Sequence, residues 1–176
     1  LQGVLLEFYE LRKVNVSAEF IEAKRIATDL LEYLSSSDIA DKIKNTHQFN
    51  AKSHDIQDIF LPKCLELGMT SEKKGLFVDQ TVTRLRPDYY KEIGKTGLIM
   101  EVERGKTTAN NMDLLDIWKC HLCKKANYLL LVVPVYRESA NGSRQKIFEH
   151  VVKRLSTFFE PENYVNVEAV FIIGYE

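Results

Sequence analysis

No stretch of this chain approaches the roughly 18 consecutive apolar residues that a membrane-crossing helix needs; its longest apolar run is Tyr128 to Tyr136. Cysteine is scarce and odd in number, with Cys64, Cys120 and Cys123 alone. That argues against a disulfide framework and for a reducing compartment, so an intracellular, cytoplasmic protein is expected. Net charge is almost absent, since 24 basic and 25 acidic side chains leave −1. The composition therefore does not announce a nucleic-acid binder, although positive charge confined to one contact face would escape such a count. Internal repeats and low-complexity tracts are missing. The sequence starts at Leu1 without a basic segment leading into an apolar one, so a signal peptide is not expected and the chain reads as trimmed.

What is present suffices for one domain with a full core: 176 residues, 45% of them apolar. The expected layout is a helical part over 1–75, a central part over 76–135, and a closing helix and strand over 136–176. Leu5, Leu6, Phe8 and Tyr9 suggest a short opening helix. Ser17 is a good N-cap for a helix whose apolar stripe runs from Phe20 to Leu34. A third helical pattern, Ser53 to Leu67, is interrupted by Pro62 and closed by Gly68. Leu76 to Thr83 is rich in β-formers and should pair with a strand at Leu85 to Tyr90. Leu98 to Glu103 and Tyr128 to Val135 read as central strands, parallel to one another through a right-handed helical crossover that ends near Lys125.

Charge in the middle of this layout is the unusual feature. Period-2 alternation puts Arg84, Arg86, Asp88 and Tyr90 on one strand face, and Glu101 and Glu103 together on the next strand. Unpaired carboxylates in an apolar strand cost several kcal/mol or take up protons. A divalent cation would offset that cost. Hard ions such as magnesium bind one or two carboxylates together with waters and phosphate oxygens, and Asp88 on the neighbouring strand could supply a further oxygen.

Pro87-Asp88 followed by Glu101-Val102-Glu103 resembles the PD-(D/E)XK nuclease superfamily. Most members have lysine where Glu103 stands, and glutamate there is similar to the BamHI-like branch of type II restriction endonucleases. The run Asn110 to Lys119 is similar to the helix that follows the motif strand in that branch, and the likeness covers about residues 76 to 135. It implies an α/β fold of restriction-endonuclease type, three layers with a central mixed sheet flanked by helices. It also implies magnesium-dependent hydrolysis of phosphodiester bonds in double-stranded DNA by a homodimer. Asp88, Glu101 and Glu103 would be catalytic, and Asp88, Glu101 and the Val102 carbonyl would hold the metal, with Glu66 as a further ligand. Arg86, Lys106, Asn110 and Lys119 would contact the DNA.

Plainer readings stand beside this one. The carboxylates could be ion-paired with Arg84, Arg86 or Arg104 on a non-catalytic protein-interaction module of the same fold, and a repair or recombination nuclease recognising DNA structure is a third class. Gly94-Lys95-Thr96 and Gly105-Lys106-Thr107 fail as phosphate-binding loops, because that motif would need glycine at Tyr89 or Met100. Cys120, His121 and Cys123 look like zinc ligands, but on a helix His121 points about 100° away from the cysteine face. Buried free thiols are the expectation there.

Overall fold

A computed structural model describes the whole chain apart from residues 1–5, 14–15, 48–51, 83 and 106 and the side chain at position 53. The order of elements is β1 (Glu7–Arg12), α1 (Ala18–Ser35), α2 (Ser37–Thr46), α3 (Ser53–Glu66), β2 (Thr70–Ser71), β3 (Tyr89–Ile93), β4 (Thr96–Val102), α4 (Met112–Leu122), β5 (Tyr128–Pro134), β6 (Tyr136–Glu138), β7 (Arg144–Lys146), α5 (Ile147–Ser156) and β8 (Ala169–Tyr175). Six strands form one mixed sheet in the order β1-β8-β5-β4-β3-β2, and β6 and β7 form a separate hairpin. Strands β4, β5 and β8 run parallel, while β3 and β1 are antiparallel to their neighbours. Helices cover both faces, so the architecture is the three-layer α/β arrangement expected from the sequence.

The apolar runs explain the centre. β5 (YLLLVVP) and β8 (AVFIIGY) are buried along their whole length, as strands covered on both faces must be. On one face, Leu98, Met100, Val102, Leu130, Val132, Phe171 and Ile173 pack with Ile26, Leu30, Leu34 and Phe60 of α1 and α3. On the other, Ile99, Leu129, Leu131 and Ile172 meet Ile117 of α4 and Val151 and Leu155 of α5. The Ser17 hydroxyl accepts the Phe20 amide at 3.0 Å, capping α1 as its position implies. Gly94 turns the β3–β4 hairpin at φ +53°, a backbone region that side chains disfavour.

Several local expectations are corrected. The opening segment is a strand, not a helix: Phe8 to Arg12 pair along β8 from Ile173 to Ala169, and that partner, about 160 residues away, decides the conformation of a short ambiguous apolar run. Leu76 to Val82 is not a strand, and Thr83, the end of that expected strand, lies outside the described residues. Residues 74–79 form turns in which Leu76 and Phe77 plug the core beneath α4, and β2 takes the place beside β3. The expected strand at Leu85 to Tyr90 starts only at Tyr89 and continues to Ile93. Pro62 does not open a second helix, because α3 runs through it from Ser53 to Glu66. The loop expected at Arg137 to Arg144 is shorter, residues 139–143, and is the turn of the β6–β7 hairpin.

Candidate active site

The β3–β4 register pairs Tyr89 with Met100, so Asp88, one residue before β3, sits opposite Glu101. Tyr90 and Ile99, cross-strand partners, face α4 and α5. Alternation then turns Asp88, Glu101 and Glu103 toward the same helices. The contact is direct: the Asp88 amide donates to Glu101 Oε2 at 3.3 Å, and Asp88 Oδ2 accepts the Val102 amide at 2.8 Å. Asp88 thus holds the end of β4 as well as contributing charge. The backbone of Glu103 continues the sheet pattern, its N–H donating to the Val132 carbonyl at 2.8 Å and its carbonyl accepting the Tyr175 hydroxyl at 2.9 Å.

Helix α4 brings what the strands lack. Asp113, Asp116 and Lys119 follow at spacings of three and so form one stripe of the helix. Lys119 Nζ donates to Glu101 Oε1 and lies 3.6 Å from Asp116 Oδ1. Asp116 and Asp113 are fully buried, and Glu101 and Glu103 lie near enough for their charges to act on Asp116. Farther along, Arg154 of α5 lies 3.2 Å from Asp113 Oδ2 and donates to the Thr108 carbonyl and to Asn111 Oδ1, which ties the start of α4 to α5.

Burial is what shifts these groups most. It pushes the Glu101 carboxyl up to about 7 against the pull of Lys119, with Asp88 adding repulsion. Burial likewise raises Asp88, Glu103 and Asp116, the last well above the carboxylate range because Glu101 and Glu103 both repel its charge. Desolvation works against the Lys119 ammonium, but Glu101 and Asp116 outweigh it and the group is raised. Four carboxyls therefore lie around one lysine among the described residues, each raised by burial, and a bound cation would oppose that rise by favouring their charged forms.

Asp88, Glu101, Glu103 and the Val102 backbone are brought together as expected. Glu66 is not: it is exposed at the end of α3 and paired with Lys63 at 2.9 Å. Lys119, expected at a phosphate on the surface, is instead the buried cation of the cluster, its side chain 13% exposed. Arg86 and Asn110 are exposed, and Lys106 lies outside the described residues. Arg84 is exposed too, and Glu101 takes its ion pair from α4. Asn111 occupies the cap position of α4 in a left-handed conformation and makes no side-chain cap. The three thiols are free and buried, and His121 Nδ1 accepts the Asn166 amide rather than a metal. Asp116 was missed in the sequence, although its spacing to Lys119 on the helix after the motif strand was a usable signal.

Magnesium suits this donor set by type, since every side chain is a hard oxygen ligand and two adjacent carboxylates are what such an ion takes from a protein. Both side-chain oxygens of Asp116 are buried without a conventional partner, which marks an excess of acceptors. No group of three or more acidic, histidine or cysteine side chains converges as a ligand shell among the described residues. The fit is therefore that of a two-carboxylate site completed by water and substrate, not of a full protein cage.

No family model and no curated protein matches the chain. Among solved structures, the chain is similar to restriction endonuclease BGLII complexed with a DNA 16-mer, at a TM-score of 0.49 and 8% identity, covering 98% of this chain and 78% of that one. At that level, likeness carries no inference about chemistry. No helix among the described residues is long and apolar enough to cross a membrane.

Proposed function

We propose that the chain is a magnesium-dependent endonuclease hydrolysing phosphodiester bonds in double-stranded DNA, of the type II restriction class. The observation that carries this reading is the contact between Asp88 and Glu101 where β4 ends, inside a cluster with too many carboxyls for its single lysine. Asp88, Glu101 and the Val102 carbonyl would hold the ion. Bound there, magnesium would supply charge neutralisation at the scissile phosphate and a more acidic water. Glu103, half-buried and raised by that burial, would orient that water or take its proton. Lys119 fixes the Glu101 carboxylate and supplies positive charge from a helix, where the commoner motif supplies it from the strand. Cutting both strands at a symmetric site would require two copies, hence a homodimer.

The Lys119–Glu101 ion pair also favours a second reading, a non-catalytic module in which the cluster is structural. Incubating purified protein with supercoiled plasmid and magnesium separates the two. Nicked and linear products that vanish with chelator, and that Glu101→Gln fails to make while still binding DNA, are expected; the loss should exceed about a hundredfold, since binding rests mainly on phosphate contacts elsewhere. An inert parent, or a Glu101→Gln protein cutting at the parental rate, would refute the nuclease reading.

A further inference from the structure

The hairpin β6–β7 stands at the same end of the parallel strands as the carboxylate cluster. β6 starts two residues after β5 ends, at Tyr136. At its foot the Val135 amide donates to the Tyr175 carbonyl at 2.7 Å, and the Tyr175 hydroxyl reaches the Glu103 carbonyl at 2.9 Å. One residue thus links the hairpin to the motif strand.

Its two faces differ. The register pairs Tyr136 with Lys146, Arg137 with Gln145 and Glu138 with Arg144. On the first face Arg144 is satisfied by Glu138 at 3.4 Å and Glu176 at 3.7 Å and lies over the Tyr136 ring, while Lys146 pairs with Glu149 at 3.0 Å. That face turns toward the groove of about 360 Å³ lined by Tyr9, Phe148 and Glu149. The opposite face presents Arg137 beside Gln145, and the side chains of both are without a hydrogen bond or ion pair among the described residues. The tip is set by Asn141, whose Oδ1 accepts the Ser143 amide and hydroxyl, and by Gly142 at φ +77°.

We propose that this hairpin is a base-reading ribbon, inserting the Arg137–Gln145 face into the major groove of the duplex that the carboxylate site would cut. A two-stranded ribbon fits that groove, arginine pairs with the guanine edge and glutamine with the adenine edge, each through two hydrogen bonds. The acidic residue of the ribbon is neutralised on the far face, which leaves the reading face cationic. The inference rests on the nuclease reading for its choice of DNA.

The test uses the intact chain and the double variant Arg137→Ala/Gln145→Ala, both positions being solvent-accessible enough to change without disturbing the core. Duplexes are selected from a randomised pool without metal, and products are mapped with magnesium. The parent should enrich a defined sequence; the double variant should lose about ten- to hundredfold of that discrimination while still cutting, at more sites. A variant with the parental preference and affinity overturns the ribbon. If the parent selects a sequence yet never cuts, the nuclease reading falls and the selection alone still decides the ribbon; if the parent binds no duplex, both fall.

Discussion

Strand β4 has two sides, and they obey different rules. Leu98, Met100 and Val102 face α1 and α3 in a layer where the buried neighbours are apolar throughout, down to Ile26, Leu30, Leu34 and Phe60. Ile99 and Glu101 face α4 across a gap that holds Asp116 and Lys119. Met100 on the first side is fully buried, and Glu101 on the second is only 4% exposed. In the first, exclusion of water stabilises the fold; in the second it raises the carboxyl groups and leaves the strand–helix seam short of positive charge. A protein that needed only stability would gain by making the second side like the first, since well-packed apolar residues commonly match or exceed a buried ion pair.

That contrast can be attacked from either side. Phe171, stacked near Phe8 and Phe20 on the apolar side, should lose about 3 to 5 kcal/mol of stability on change to alanine, with no change in how stability depends on pH or magnesium; denaturant titration at several pH values reads both. On the charged side, Glu101 has a folded-state value of about 7 against 4.5 for an ordinary glutamate. The folded form binds the extra proton, so this stabilisation is complete below pH 4.5 and is lost as pH rises through 7, a change on the order of 3 kcal/mol. Asp88, Glu103 and Asp116 are raised in the same direction. Lys119→Met, removing the cation paired with Glu101, should cost about 3 kcal/mol near pH 8 and less than about 1 near pH 5, below the Glu101 value of about 7. A pH-independent loss would mean that Lys119 acts through packing alone. The smallest effect belongs to Glu66→Ala, within about 0.5 kcal/mol and without change in cleavage, as expected for an exposed pair; reduced magnesium-dependent cutting would return Glu66 to the site.

The sequence was legible where the structure is local or repetitive. Continuous apolar runs marked β5 and β8, a serine marked the start of α1, and alternation placed Glu101 and Glu103 on one face. It was opaque where a distant partner decides. Phe8 and Tyr9 become strand because β8 arrives beside them, and Leu76 and Phe77 remain turn because no strand does. The same holds at the site: Lys119 reads as a phosphate contact until α4 is laid over β4, and only then does the stripe Asp113, Asp116, Lys119 face inward.

The pairs that make up the carboxylate cluster lie close along the chain, Asp88 to Glu101 and Val102 and Glu101 to Lys119 being 13, 14 and 18 residues apart. Pairing of β1 with β8, by contrast, must join Glu7 to Gly174. Closing a short loop sacrifices less chain entropy than closing a long one. The segment from β3 through β5 can therefore assemble its charged seam before the outer edge of the sheet zips shut, and amide exchange in β1 should proceed through openings that leave Val102 and Glu103 protected.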